Sequence, residues 1–366
     1  MANAAGGSVR SLQLLLSGHD RDHLGLRDGM QRHIVDKHLP APGQPRSGEL
    51  GVVGWIDETS FANKGDKSPG VQRQYCGSTG KIDNCVVSVH LAVGYDSFSG
   101  LVDSALFLPE GWAKDPERCL EAGIPLDMPF RTKCQIALEQ VKGAVGNGMR
   151  FDWIGFAGGY GGKPPFLPGL EAMGQLFIGE VPKTFRCFSS PPRYHSLQKP
   201  FMAKEARNPA IFGKAFRGRK WTTCTARHKR VPDSQWQVRA GRVYISVEGE
   251  CHDRPCWLIV ARNTATGEVK YFISNPPEQT AVATMPGAAL SRWGIEHLFR
   301  VSKDEIGLGH YEGRSYLGLI RHMTLCQLML LFTAEQTTRL RGENPQISKG
   351  AGGYGHERHV RDLAAR

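Results

Sequence analysis

The residues best placed to do chemistry are carboxylates set among bases. In the stretch 292–322, RWGIEHLFRVSKDEIGLGHYEGRSYLGLIRH, the residues Arg292, Glu296, Arg300 and Lys303 recur at helical spacing and share one stripe. Trp293, Leu298, Val301 and Ile306 fill other positions of the turn and can pack on a core, and Gly307 and Gly309 stop the helix. One acid among bases has two readings. On a solvated face it makes i,i+4 ion pairs worth only ~0.2–0.5 kcal/mol each, and spacing alone favours that reading. The alternative is a metal-binding carboxylate whose helix also carries the cations that hold a phosphate backbone, and it requires partner carboxylates elsewhere in the chain.

A partner stands at Asp57, where the apolar run GVVGWID closes with a carboxylate followed by Glu58 and Thr59. A strand-terminal Asp often serves only as a cap or turn residue. Here Lys64, Lys67, Arg73 and Lys81 follow in a loop rich in Gly and Ser, which suits phosphate. A third region, RFDWIGFAGGYGGK, reads as a strand over 151–156 running into a glycine-rich turn where side chains can approach a ligand closely. It lacks the G-K-[ST] ending of a P-loop. Cys251, His252 and Cys256 hint at a metal, but no second pair stands at the spacing a four-ligand structural zinc site requires.

The elements that must position these residues follow from periodicity and punctuation. CVVSVHLAV (85–93) reads as a buried strand, because its β-branched residues run almost without polar alternation. A helix at 167–173 and a strand at 175–181 complete a strand, turn, helix, strand pattern of the α/β class. Residues 183–234 are polar, basic and Pro-rich and read as loops. From 235 to 274 a β-meander follows, with Trp236, Trp257 and Tyr271 able to pack a small sheet, while Trp221 sits in the basic stretch. A mostly apolar helix at 316–332 should be buried and anchor the helix of Glu296. Ahead of the first strand, a short helical stretch at 11–16 and an amphipathic helix at 20–38 are followed by a Pro/Gly linker, LPAPGQPRSGEL. The histidines His19, His23 and His33 read as surface groups.

The resulting division is an N-terminal helical segment and linker (1–50), a first part of the core (51–182), a basic loop and β-rich insertion (183–280), C-terminal core helices (281–335) and a disordered tail (336–366). Net charge is +11 over 366 residues and the pI is about 9.3, an excess that favours an anionic partner such as nucleic acid. No run approaches the eighteen or so apolar residues of a membrane span, and the first twenty residues lack a signal-peptide layout, which points to the cytosol. Nine cysteines without paired C-x-x-C spacing fit reduced thiols.

Three blocks carry a resemblance: IDETSFANKGDKSPGVQRQYCGSTGKIDNCVVSVHLAVGY, FAGGYGGKPPFLPGLEAMGQLFIGEVP, and VKYFISNPP through RWGIEHLFRVSKDEIGLGHYEGRSYLGLIRHMTL. Together they resemble bacterial insertion-sequence transposases of the DDE superfamily, in the cut-and-paste branch whose third carboxylate lies in an R-x3-E-x6-K helix, here Arg292, Glu296 and Lys303. The likeness covers most of residues 50 to 332. It implies an RNase H-like mixed sheet flanked by helices, with a β-rich insertion between the second and third acids. It further implies Mg2+ or Mn2+ held by Asp57 and Glu296, and duplex DNA at transposon ends and target as the partner, bound by a homodimer. Arg292, Arg300 and Lys303 would contact the end phosphates, with Tyr311 and Arg314 beside them. The implied setting is the bacterial cytoplasm, at the nucleoid.

The second acid is where the chain departs from this pattern. Relatives read D-G-G-Y-G or D-A-x-Y-G, whereas this sequence reads Ala157-Gly158-Gly159-Tyr160-Gly161, so Ala157 stands at the expected Asp. Asp152, at the other end of the strand, would lie about 16 Å away at ~3.3 Å of rise per residue and is a poor substitute. The resemblance therefore leaves two functions open: a DDE-type transposase for metal-dependent DNA strand cleavage and transfer at insertion-sequence ends, whose activity the change at Ala157 puts in question, or a catalytically dead DNA-binding remnant or regulator that occupies transposon ends.

Overall fold

A computed structural model describes residues 22–41, 44, 50–163, 165–190, 193–196, 199–201, 221–226, 234–282 and 284–343. In chain order these form α1 (His23–His38), β1 (Val53–Ala62), β2 (Gln72–Cys76), β3 (Lys81–Tyr95), β4 (Phe98–Leu106), α2 (Glu110–Ala113), α3 (Pro116–Glu121), α4 (Lys133–Gly146), β5 (Trp153–Phe156), α5 (Gly158–Gly161), α6 (Phe166–Ala172) and β6 (Phe177–Val181). They continue as β7 (Cys187–Phe188), β8 (Arg193–Ser196), β9 (Lys199–Phe201), β10 (Thr222–Ala226), β11 (Ser234–Val247), β12 (Glu250–Asn263), β13 (Val269–Ser274), α7 (Thr284–Ser291), α8 (Trp293–Val301), a π-helical turn (Ser302–Ile306) and α9 (Tyr316–Glu343). This is a mixed α/β protein whose sheet combines parallel and antiparallel pairs and is flanked by helices, the class expected from the sequence. The helical stretch expected at 11–16 and residues 344–366 of the expected tail lie outside the described residues.

Two units divide the chain, each assembled from discontinuous segments. The first takes residues 1–45, 56–149 and 294–366. Its sheet is organised on β3, which pairs antiparallel with β2 through its first half (Gln72↔Cys85 to Cys76↔Lys81) and with β4 through its second (Ser88↔Leu106 to Tyr95↔Phe98). Residues 85–94 of β3 are all buried, as the β-branched run requires. β1 lies next to β3 and does not end at Asp57 as the sequence suggested: Thr59 and Phe61 continue the pleat to Ala62, leaving Asp57 mid-strand. Helices lock on by single polar bonds inserted into apolar contact, Gln31 Nε2 to Val102 O (2.9 Å) from α1 and Gln140 Nε2 to Val89 O (3.0 Å) from α4. α4 starts cleanly because Thr132 and Gln135 form a reciprocal capping box. On α1, Met30 and Ile34 are buried while Leu24 and Leu26 remain exposed, so its apolar face is narrower than expected.

α9 reaches Glu343, well beyond the 332 at which its apolar run was expected to end and into the segment read as a tail. By length and composition it would pass for a membrane span, against the expectation that no such run exists. Its packing is that of a core helix, with Leu319, Ile320, Met323 and Cys326 in one cluster with Leu106, Leu108 and Trp112. More than half of its most apolar window is buried in the protein.

The second unit takes residues 46–55 and 150–293. Its strands run β10-β11-β12-β13-β6-β5, with β7 added to β11. β5 and β6 are parallel, joined through α5 and α6, while β11, β12 and β13 make the expected meander. Trp236 and Trp257 are buried in it. The stretch read as loops, 183–234, carries short strands instead: Cys187 and Phe188 bond the bulged end of β11, β8 pairs with β9, and β10 extends the sheet. The sequence missed them because two- to five-residue strands are too short to show a period.

Candidate functional site

α8 presents Glu296 and Arg300 on an exposed face and buries Ile295, Leu298, Phe299 and Val301. Phe299 meets His90 of β3 edge-on, ring centroids 5.0 Å apart. His90 is fully buried between two hydroxyls, Ser88 Oγ at 2.6 Å from Nε2 and Ser104 Oγ at 2.5 Å from Nδ1. Burial pushes its pKa down to about 3, helped by the charge on Lys303, so the ring is neutral.

Lys303 departs from the expected stripe. It belongs to the π-helical turn, whose wider spacing breaks the 3.6-residue register, and it is half-buried where Arg300 is exposed. Its Nζ donates to Ser60 O (3.1 Å) and lies 5.5 Å from the centroid of the Phe61 ring. Burial lowers its pKa, while the Cys76 sulfur and Asp304 work to raise it. Alternation along β1 puts Asp57, Thr59 and Phe61 on one face. Lys303 therefore docks on β1 at Ser60 and Phe61. Asp57 is half-buried, and its Oδ1 accepts from Glu58 N (2.8 Å); Glu58 points the other way and pairs with Lys133 at 2.8 Å.

The seat of Lys303 was not apparent in the sequence. Ser60 Oγ accepts from Ser78 N (3.2 Å), and Cys76 Sγ lies 3.1 Å from Ser78 Oγ. Burial works to raise the Cys76 thiol, but hydrogen bonds from Ser60, Ser78 and Thr79 outweigh it and bring it down to about 6. Only the D-E-T-S-F stretch offered a signal, since Cys76 reaches Ser60 through the hairpin of β2 and β3 rather than through local spacing.

Tyr311 and Arg314 fall together with two lysines of the loop after β1. Lys64, Lys67, Tyr311 and Arg314 line one open cavity of about 490 Å³, with Asp66 and Glu312 as counter-charges. Lys67 is paired with Glu121 at 2.8 Å, and Tyr311 donates to Ser315 O at 2.8 Å. Burial raises the Tyr311 phenol. The bases of the cavity come from both expected segments, and Asp66, Glu312 and the Lys67–Glu121 pair largely balance them.

In the second unit, Ala157 directly follows β5 in extended backbone (φ −76°, ψ 162°) and occupies the N-cap position of α5, with no side-chain cap bond. Gly155 and Ala157 project to the same side of the strand, and a Cβ on Gly155 would meet Arg292 Cβ at 3.9 Å, so Arg292 lies along that side. Of the glycines after Ala157, Gly161 and Gly162 serve packing, while a Cβ on Gly159 would meet nothing within 4 Å. A Cβ on Gly161 would collide with the Glu180 carbonyl, and one on Gly162 would press on Pro182 at 3.3 Å. Asp152 is committed elsewhere, with Oδ2 accepting from Val52 N (2.8 Å) and its own N donating to Val52 O (2.7 Å). Cys256 Sγ contacts Glu171 Oε1 (3.8 Å) and His252 Nε2 lies 3.6 Å from Glu171 Oε2, so these residues of the weak metal hint meet a carboxylate. The Trp221 ring is covered by Arg239 and Arg262, at 4.3 and 5.1 Å.

Residues 1–243 match the family described as DDE superfamily endonuclease. A relative from Microchaete diplosiphon, described as a probable transposase for insertion sequence element IS701, is 35% identical over 99 residues, which is 27% of this chain. The match spans only 23% of that relative's length. Among solved structures, endonuclease V of Ciona intestinalis in complex with DNA overlaps at a TM-score of 0.26 and 10% identity, covering 76% of this chain and 98% of that one. The NurA nuclease of Sulfolobus solfataricus overlaps at 0.29 and 9%, covering 77% and 92%. Overlaps this slight do not fix a common fold.

Proposed function

We infer the function of this chain from the family to which it belongs, the DDE superfamily of endonucleases, and propose that it is an insertion-sequence transposase by descent that binds transposon-end DNA but lacks strand cleavage. Endonucleases of this superfamily typically use divalent metal ions. In the chemistry implied by the resemblance, three carboxylates hold two such ions, magnesium or manganese, for in-line displacement at phosphorus. Asp57 and Glu296 offer two carboxylates, on β1 and on the exposed face of α8. The methyl group of Ala157 offers no donor atom. A three-carboxylate, two-ion site does not fit this donor set, and no cleavage step is assigned to the chain.

What the remaining residues support is DNA binding. Arg292, Arg300 and Lys303 flank Glu296 in the sequence, and Lys64, Lys67, Tyr311 and Arg314 line one open cavity of the first unit. Guanidinium and ammonium groups on a protein with net charge +11 suit a phosphate backbone. The single observation that carries the reading is Ala157: alanine stands where the resemblance expects the second aspartate, at a backbone conformation that would accept aspartate. We place the protein at the nucleoid in the cytoplasm, acting as a homodimer on DNA ends.

The second reading, a regulator that occupies transposon ends, differs in what binding does rather than in whether it occurs. A gel-shift and nicking experiment on a labelled insertion-sequence end duplex tests the proposal. Retention of the duplex without Mg2+- or Mn2+-dependent nicks is expected. Cutting by the chain as it stands refutes the assignment of Ala157, and failure to hold any duplex refutes the DNA-binding role.

A further inference from the structure

Away from these carboxylates, α1 and α9 bring together a second set of groups able to hold an ion. We propose that His33, His38 and Glu335 form a binding site for a divalent transition-metal ion of the zinc class. His33 Nε2 and His38 Nε2 lie 2.7 and 2.8 Å from the same atom, Glu335 Oε1. Among the described residues these three make the one group of three or more His, Cys, Asp or Glu whose ligand atoms fall within 4.8 Å of one another.

The geometry is close to what an ion needs. Zinc takes imidazole nitrogen and carboxylate oxygen at ~2.0–2.2 Å, which sets tetrahedral donors roughly 3.3 Å apart. The two nitrogens must therefore back away from the oxygen by about half an ångström, a change that side-chain rotation supplies. His38 is already oriented: its ring stacks on Phe98 with centroids 4.1 Å apart and planes 5° from parallel. Such packing fixes a ligand ring in the way outer contacts do at metal sites. The His33 side chain is 45% exposed, so an ion can enter from solvent and water can complete its coordination. Two imidazoles with one carboxylate favour zinc, nickel or copper over magnesium, which separates this site from the ions the family resemblance implies.

The site would clip α1 to α9 across about 300 residues of sequence, 302 and 297 for the two contacts. Without an ion the same atoms can form plain hydrogen bonds, in which two imidazole N–H groups donate to one carboxylate oxygen. The two cases differ in metal affinity.

The test uses the full chain, stripped with chelator and titrated with Zn2+ against a chromophoric competitor, with melting followed in parallel. One equivalent is expected to bind and to raise the melting temperature. His33→Ala, His38→Ala and Glu335→Gln should each weaken binding at least tenfold and remove the zinc-dependent rise, with circular dichroism showing each variant folded. His33→Gln stands in for any alanine variant that fails to fold, since His33 is the most exposed of the three. Co2+ should give tetrahedral d–d bands without a thiolate charge-transfer band, which excludes the nine cysteines as ligands. Absence of stoichiometric binding, equal binding in all variants, or a thiolate band overturns the proposal.

Discussion

His90 shows how a single residue beneath α8 sets the behaviour of the whole unit. Its folded pKa of about 3 lies below the ordinary 6.5 because burial excludes the charged ring. Above pH 6.5 both states are neutral at this residue and it imposes no pH dependence. As pH falls from 6.5 towards 3, the unfolded chain takes up a proton that the folded chain refuses, and stability is lost. The expected outcome is a loss of several kcal/mol across that window, measured by denaturant midpoints, with a visibly flatter slope in His90→Gln. Asp103 works in the opposite sense over a narrower range: burial raises it from 3.8 to about 6, so its ionisation costs stability as pH rises between those values. Ala157 is the second informative residue. On the proposed assignment Ala157→Asp supplies a third carboxylate with Asp57 and Glu296, so its urea midpoint should rise when Mg2+ or Mn2+ is added, and the unaltered chain should show no such rise.

At the scale of elements, the helix of Glu296 is held by its ends and by its underside. Phe299 sits on His90, Lys303 sits on Ser60 and Phe61, and Gly307 closes the π-helical turn at φ 87°. That backbone angle disfavours any side chain, and a Cβ there would also meet His310 Nδ1 at 3.0 Å. Gly307→Ala should cost about 1 kcal/mol or more by chemical denaturation and weaken DNA retention through the displaced Lys303. The positions of Glu296 and of Gly307 as a stop were legible, because charge spacing and glycine punctuation are local signals. The π-helical turn was not, since one widened turn leaves the apolar pattern almost unchanged, and so Lys303 was read as part of an exposed stripe. β3 was legible through its unbroken β-branched run. β1 was cut short at Asp57 because a carboxylate looks like an end, although Thr59 and Phe61 carry the alternation onward.

At the scale of the molecule, interleaving decides what a sequence can reveal. Each unit is built from separated segments, so the seat of Lys303 on Ser60 and the meeting of His33 with Glu335 join residues hundreds of positions apart, and no local pattern records them. Ala157 became visible only through the resemblance, since alanine after a strand is otherwise unremarked. The net charge of +11 makes one prediction at this scale. Duplex affinity should fall steeply with salt, on the order of a thousandfold between 50 and 200 mM if six or more phosphates are neutralised. A near-flat salt profile by fluorescence anisotropy would contradict backbone binding by the bases named above. The central claim, that Ala157 stands at the position of the second metal-binding aspartate, is tested most directly by restoring the carboxylate. Mg2+- or Mn2+-dependent nicking of an end duplex should appear in Ala157→Asp, be absent from the unaltered chain, and vanish again when Glu296→Ala is added. Equal cutting by the unaltered chain and by Ala157→Asp, or cutting that survives Glu296→Ala, would contradict the account.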